Sequence, residues 1–596
     1  MRNAEAILHV IREQGKRGLP LGNDLYRQLY NPSLYLLAYS RIYGNAGAMT
    51  QGATEETVDG MSLKKIERII EQLRDERYRW TPVRRVEIPK KNGKTRPLGI
   101  PTWSDKLLQE VIRLLLEAYY EPQFSDASHG FRPNRGCHTA LHSIEECWIG
   151  TKWFIEGDIR GCFDNIDHEI LMSILSERIQ DNRFLRLISN LLKAGYLEQW
   201  TYHATLSGVP QGGIVSPILS NIYLDRLDKY VEQTLLPANT RGEKRQENAD
   251  YAKLVKRKYY LRKAGRYQEA RETEKRFQRM PSKDEHDPNF RRLHYVRYAD
   301  DWLIGFIGPV SEAEAIKEQL RTFLRDHLKL ELSPEKTLVT HARTQAAKFL
   351  GYEIVVTHDD AKHTNGRRSI NGNIGLRVPA QFIQAKCARY MQDGKSIHRP
   401  ELVNESDFSI VHEYQAKYRG YVQYYKLAHN LSWLAQVQWV MQSSLLKTLA
   451  CKHKSSMQTI ANKYKTTARF AHGLRKCLEV TVTRKGKQPL VARFGGLSLT
   501  RDRHATISDL SDTNMRPPRS ELLKRLLAET CELCGSTDDV QVHHIRALKD
   551  LKQAGKKERP LWQQVMAARQ RKTLVVCRVC HTAIHQGETP HAHTTR

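Results

Sequence analysis

Two adjacent carboxylates, Asp300 and Asp301, interrupt two apolar runs in Tyr295-Val296-Arg297-Tyr298-Ala299-Asp300-Asp301-Trp302-Leu303-Ile304. Apolar, strand-forming runs on either side of a short polar break predict a hairpin with both acids at its tip. Like charges side by side are costly unless a cation or water relieves them, so the pair is either a solvated turn or part of a metal site. A second acid shifts the balance. In Trp153-Phe154-Ile155-Glu156-Gly157-Asp158-Ile159 an apolar run delivers Asp158 at its C-terminal end. Phosphoryl transfer by two metal ions needs carboxylates from separate strands bridging cations roughly 4 Å apart, which Asp158 and the Asp300–Asp301 pair could supply.

The other chemistry-bearing residues lie near the C-terminus. Cys531-Glu532-Leu533-Cys534 and Cys577-Arg578-Val579-Cys580 are two Cys-x-x-Cys pairs, the donor set of a closed structural Zn²⁺ site. His543-His544 and the pair His581 and His585, one helical turn apart, could place three imidazoles on a second metal and leave one as a base. The competing reading is a zinc-ribbon DNA-binding module with incidental histidines. Residues 526–596 form a unit too small to rely on a hydrophobic core alone, so the zinc would staple it.

Elements must hold these side chains in place. Residues 1–60 read as helical, ending near the Asn45-Ala46-Gly47 and Asp59-Gly60 breaks. Val86-Glu87-Ile88-Pro89, followed by Lys91-Asn92-Gly93-Lys94, predicts a hairpin with Asn-Gly at its tip. A helix is expected from Asp105 to Tyr120, with Leu107, Leu108, Val111, Leu114 and Leu115 on one face. Strand-like and helical segments then alternate through Tyr352, giving a mixed α+β domain. Residues 237–292 interrupt it with dense Lys, Arg and Glu: inserted exposed helices, either a solvated face or a nucleic-acid contact. Beyond about residue 380 the pattern is mainly helical. There Tyr414, Tyr418, Tyr421 and Tyr425 form one stripe, read as core, with Lys417, Arg419 and Lys426 leaving a partial basic face. A basic linker is expected from Thr481 to Arg519.

The 596 residues suggest roughly four domains. A formal charge of +29 favours a polyanionic partner, because each neutralised phosphate releases counterions. No apolar run reaches the ~18 residues of a spanning helix, and Met1 to Leu19 lacks the apolar core of a secretory signal. No membrane partner is therefore expected. Cys137, Cys147, Cys162, Cys387, Cys451 and Cys477 are scattered singly, as thiols of a cytosolic protein are.

Tyr298-Ala299-Asp300-Asp301 resembles the YADD box of reverse transcriptases, and Asp158 with Phe163 resembles their other catalytic strand. Ser207-Gly208-Val209-Pro210-Gln211-Gly212-Gly213 is similar to the family's SGxPQG segment. Lys94-Thr95-Arg96-Pro97-Leu98 and Gly130-Phe131-Arg132-Pro133-Asn134-Arg135-Gly136 resemble the fingers motifs of group II intron reverse transcriptases. Ser333-Pro334-Glu335-Lys336-Thr337 and Phe349-Leu350-Gly351-Tyr352 fit the last palm motifs. The ordered match spans roughly residues 60–355. The tyrosine-striped segment resembles the thumb, or maturase domain X, and the C-terminus looks like the ββα-metal fold of HNH endonucleases. One departure stands out: no Asn follows Ile545, where the HNH pattern has its central Asn.

The resemblance implies a multidomain α+β protein: a right-hand polymerase with fingers and an antiparallel palm sheet, a helical thumb and a small zinc-stapled ββα-metal module. Its divisions would be residues 1–60, an N-terminal helical extension; 61–378, fingers and palm with the 237–292 insertion; 379–480, thumb and maturase domain; 481–525, a basic DNA-binding linker; and 526–596, the HNH domain. Asp158 and Asp300, with the Ile159 carbonyl, would hold two Mg²⁺, and Asp301 would lie near the primer end. Phe163 would stack under the incoming sugar. Pro210, Gln211 and Gly212 would line the template–primer, with Gln211 and Gly212 against the nascent base pair. Arg96 and one of Lys90 or Lys91 would bind the triphosphate, and Lys336 would protonate pyrophosphate. Cys531, Cys534, Cys577 and Cys580 would bind structural Zn²⁺. His543, His581 and His585 would hold a divalent cation, Mg²⁺ being the expected ion, and His544 would act as base. The partners implied are a group II intron RNA, target DNA and deoxynucleoside triphosphates, in the bacterial cytoplasm at the nucleoid. The rivals are a reverse transcriptase of another retroelement and a splicing cofactor with an inactive nuclease.

Overall fold

The computed structural model describes residues 3–89, 93, 95–205, 207–209, 212–364, 367–368, 370–470, 473–484, 486–507, 521–551, 560–569 and 571–587. Its centre is a five-stranded sheet in the order Ser128–His129, Arg292–Tyr298, Asp301–Ile307, Trp153–Asp158, Val339–His341. The expected hairpin runs in unbroken antiparallel register from Arg292 opposite Ile307 to Tyr298 opposite Asp301. Trp153–Asp158 pairs with its second strand so that Asp158 stands opposite Asp301.

Alternation along these strands builds two cores, because successive side chains point to opposite faces. Ile155, Trp302, Ile304 and Phe306 join one cluster with the helices Trp103–Tyr120 and Ser216–Tyr230. Phe154, Val296 and Leu303 join the other, with the helix Cys137–Cys147 and the tyrosines beyond residue 400. The helix expected from Asp105 begins two residues earlier, at Trp103, because Thr102 accepts the Asp105 N–H and caps it.

A second, four-stranded sheet contains the expected hairpin, Val83–Pro89 against Thr95–Ile100, extended by Tyr196–Glu198 and Thr201–His203. The 237–292 stretch forms the helices Ala249–Lys263 and Tyr267–Gln278, largely exposed. Farther on, the helix Asp407–Tyr424 packs on Leu434–Lys452, and Tyr414, Tyr418 and Tyr425 are buried. The linker expected from Thr481 is strand as far as Gly495: Lys465–Phe470, Gly473–Arg484 and Lys487–Gly495 form a three-stranded sheet. Leu478, Val480, Ala492 and Phe494 face the helices at period two, and the basic residues between them had obscured that alternation.

At the C-terminus, Val540–His544 pairs antiparallel with Thr573–Cys577, which leads straight into the helix Arg578–Gln586. This hairpin does not stand alone. Gly60 donates to the Val542 carbonyl at 3.0 Å and Val542 to the Met61 carbonyl at 2.9 Å, so residues 60–61 add an edge to it. Leu522, Leu526, Val542 and Val575 share a core with the N-terminal helices. Among the described residues no helix is long and apolar enough to cross a membrane.

Candidate active sites

The hairpin turn at Ala299-Asp300 is left-handed at Ala299, φ 55°. It brings Asp300 and Asp301 to the sheet end where Asp158 terminates the neighbouring strand. Crowding shows in the electrostatics. Burial, then the charges of Asp300 and Asp158, push the Asp301 carboxyl up to about 7. Burial and Asp158 raise Asp300 as well, while Arg96 and Lys336 oppose the rise. Three oxygen-donor side chains that resist joint ionisation suit hard divalent cations.

Lys336 reaches the same cluster, its Nζ 2.8 Å from Asp158 Oδ2. Its segment is tied there by backbone, since Ser333 donates to the Asp158 carbonyl at 2.9 Å. Ile159 is buried and bridges to Leu332. Phe163, on the short helix Cys162–Asn165, stands edge-on to Phe131 with ring centroids 6.4 Å apart. The Ser207–Val209 segment lies along that helix, with Val209 donating to the Phe163 carbonyl and Gly208 to the Ile166 carbonyl, both at 2.8 Å. Gly212 has φ 103°, and a Cβ there would stand 2.6 Å from the Gly99 carbonyl oxygen, so only glycine lets this loop meet the fingers-like hairpin. Arg96 is on that hairpin. Lys90, Lys91, Pro210 and Gln211 lie outside the described residues.

Sequence reasoning missed the brace beneath this site. Arg297 is fully buried between Val296 and Tyr298 of its strand and pairs with the buried Asp228. A lone Arg within an apolar run was the available signal.

In the C-terminal module the four thiols of Cys531, Cys534, Cys577 and Cys580 converge, all Sγ atoms within 4.8 Å of one another. His543, His581 and His585 also converge, with ring centroids 4.9–5.3 Å apart. Gln541 Oε1 lies 2.9 Å from His581 Nδ1, which orients the other ring nitrogen toward the cluster. His544, next along the strand, points away from this group: its Nε2 is 2.9 Å from the Tyr39 hydroxyl, and burial pushes its pKa down to about 4. A residue far upstream completes the histidine cluster instead. Asp59 has its carboxylate within 3.3 Å of a nitrogen of each of the three rings.

Carboxylates gathered at a sheet end, beside a motif loop that glycine lets approach, and a separate Cys/His module together define a template-directed polymerase joined to a nuclease-type metal domain. The comparisons agree. The family described as "Reverse transcriptase (RNA-dependent DNA polymerase)" matches residues 88–354, "Type II intron maturase" residues 376–494, and "AI2M/AI1M-like, HNH endonuclease" residues 531–581. "Group II intron-encoded protein LtrA" of Lactococcus lactis subsp. cremoris is 40% identical, over 98% of this chain and 99% of its own length. The "Putative COX1/OXI3 intron 1 protein" of Saccharomyces cerevisiae is 32% identical over 95% of this chain and 69% of its own length. The chain belongs to the group II intron-encoded proteins, and it carries reverse transcriptase, maturase and HNH endonuclease domains.

Proposed function

We propose that this chain acts as the protein partner of a group II intron RNA and drives insertion of that RNA by target-primed reverse transcription. The protein binds the intron RNA and helps it fold and splice. The RNA reverse-splices into one DNA strand, the HNH module nicks the other, and the polymerase extends the nicked 3′ end along the intron. Holding RNA and DNA on one chain raises the local concentration of primer at the polymerase site.

In this reading the five-stranded sheet is the palm, the Val83–Ile100 hairpin belongs to the fingers, and the helices from Asp407 form the thumb. The DNA-binding linker begins beyond Gly495. Asp158 and Asp300, with the Ile159 carbonyl, hold two Mg²⁺, and Asp301 lies beside the primer end. When bound, the ions neutralise the triphosphate and stabilise charge on the attacking and leaving oxygens. Phe163 contacts the incoming sugar, Arg96 grips phosphate through its planar fork, and Lys336 supplies a proton to pyrophosphate. Cys531, Cys534, Cys577 and Cys580 take Zn²⁺. His543, His581 and His585 take a divalent cation, with His544 as base once its ring exchanges the Tyr39 hydroxyl for water.

The observation that carries the polymerase reading is the alignment of Asp158 opposite Asp301 at the tip of the Asp300–Asp301 turn. The test is to purify the protein from its host and sequence the RNA that accompanies it. One dominant RNA with group II intron structure, extended into DNA from a nicked target in an Asp300-dependent manner, is the expected result. A short unrelated RNA, or none, would overturn the intron role.

A further inference from the structure

The three histidines of the HNH centre have a fourth neighbour that comes from outside the module. Asp59 Oδ1 lies 3.3 Å from His543 Nδ1 and 3.2 Å from His581 Nε2, and Asp59 Oδ2 lies 2.7 Å from His585 Nε2. One donor atom from each of the four residues falls within 4.8 Å of the others. Both ring nitrogens of His543 are buried without a hydrogen-bond partner. Buried polar atoms are rarely left so, and of the two Nδ1 faces the Asp59 carboxylate at 3.3 Å. The backbone delivers Asp59 to this place. Gly60 and Met61 pair with Val542, and the His544 N–H donates to Asp59 Oδ1 at 2.7 Å.

We propose that Asp59 is a fourth ligand of the HNH metal centre, and that through it the N-terminal segment clamps the module and holds the nuclease closed until the module is released. The inference rests on the nuclease reading above. A six-coordinate cation such as Mg²⁺ would keep three positions open on the three histidines alone, and the Asp59 carboxylate takes at least one of the positions that water or substrate needs. The Asp59 carboxylate stands in the cluster as an anion where a scissile phosphate would otherwise bring its oxygens. The same docking holds the His544 ring against Tyr39, with centroids 6.2 Å apart. Ligand supply and base are thus both set by contact between the module and residues preceding the polymerase domain. Cutting DNA requires that contact to open.

Hydrogen exchange of the full-length protein tests this, with its zinc retained and Mn²⁺ as the probe. At Mn²⁺ near 100 times its dissociation constant, amides in residues 58–62 and in residues 540–545 are expected to exchange roughly 100-fold more slowly. In Asp59→Ala, Mn²⁺ should still slow residues 540–545 but leave 58–62 unchanged. Asp59→Asn, which keeps the side chain's shape but is a poor ligand, serves if the alanine protein does not fold. Slowing of 540–545 alone in the wild type, or faster exchange of 58–62, would overturn the inference while leaving the metal centre intact. No response in either segment would instead sink the nuclease reading itself. Nicking of target DNA by the Asp59→Ala ribonucleoprotein should be at least several-fold faster; slower nicking would overturn the closed state.

Discussion

Arg297 donates from Nη1 to the Ala299 carbonyl, 2.8 Å away, and so fastens the buried interior of the sheet to the residue immediately before Asp300. Its other donors reach Asp228, Asn221 and Ser128, all buried. Asp228 also accepts from the Tyr295 hydroxyl at 2.7 Å. Ala299 is a non-glycine residue in the left-handed region, a conformation that persists only where its surroundings enforce it. The guanidinium holds the Ala299 carbonyl and the His129 carbonyl accepts the Ala299 N–H at 3.1 Å, so the Asp300–Asp301 turn owes part of its shape to a buried charge pair beneath it.

Removing Asp228 leaves that guanidinium buried without its counter-charge. Asp228→Ala should cost about 3–5 kcal/mol, read as a fall in melting temperature on the order of 10 °C. The double variant Asp228→Leu with Arg297→Met should recover most of the stability and little of the primer-extension rate. If rate returned along with stability, Arg297 would be a packing element and not a positioning one.

Gly157 precedes Asp158 and lies opposite Trp302 in the ladder. A Cβ on Gly157 would stand 2.0 Å from the Trp302 ring, which is buried and has nowhere to go. Gly157→Ala should therefore cost about 1–3 kcal/mol by overpacking and displace Asp158 from its partners, cutting kcat at least tenfold. Pairing it with Trp302→Leu, which opens the space, should restore part of both. Unchanged extension kinetics in the single variant would count against so tight a packing.

The carboxylates were legible in the sequence because each ends or interrupts an apolar run, so local pattern and chemistry coincide at Asp158 and at Asp300–Asp301. The Cys pairs were legible for the same reason: their spacing is itself the signal. Asp59 was not, since an Asp-Gly pair reads as an ordinary break and its partners His543, His581 and His585 are brought to it only by the fold. The orientation of His544 was hidden as well. Two adjacent histidines look equivalent on paper, but on a strand they face opposite ways, one to the Asp59–His581–His585 cluster and one to Tyr39. The strands of residues 481–495 were masked by charge, because Arg484, Lys485, Lys487 and Arg493 made the segment look in sequence like a linker.

Asp407 begins the half-buried helix Asp407–Tyr424 and accepts from Lys452 at 2.7 Å, His453 at 2.8 Å and Tyr464. Burial works to raise its pKa, but the hydrogen bonds from Lys452, Tyr464 and His453 outweigh it and hold the carboxyl down to about 2. A depressed folded-state value means the stabilisation is complete above the unfolded carboxyl's range and fades as pH falls through about 4 toward 2. Asp407→Asn should destabilise the helical region by about 1 kcal/mol at neutral pH. Melting curves of the two proteins should converge as the pH is lowered through that window; a constant offset would mean that shape, not charge, holds the junction.

Metal removal should separate the two enzymatic halves. Cys577 and Cys580 flank the start of the helix Arg578–Gln586 that carries His581 and His585, so whatever fixes the thiols fixes the imidazoles. The module's own core is small, built around Met566, Leu574, Val576 and Ile584 beside the four cysteines. Structural zinc contributes on the order of 10 kcal/mol to folding such units, more than a core of this size supplies. Cys577→Ser, or stripping the zinc with a strong chelator, should abolish nicking. Primer extension with excess Mg²⁺ restored should stay within a factor of about three, because Asp158, Asp300 and Asp301 sit at the end of a different sheet from the cysteine-lined cluster. The module nevertheless rests on the N-terminal helices through Leu522 and Val542, so the thermal transition of the polymerase portion should fall by a few degrees, about 2–4 °C for each 1 kcal/mol lost at that contact. Extension lost in step with nicking would show that the polymerase depends on the docked module, and the two activities would then have to be treated as one cooperative unit.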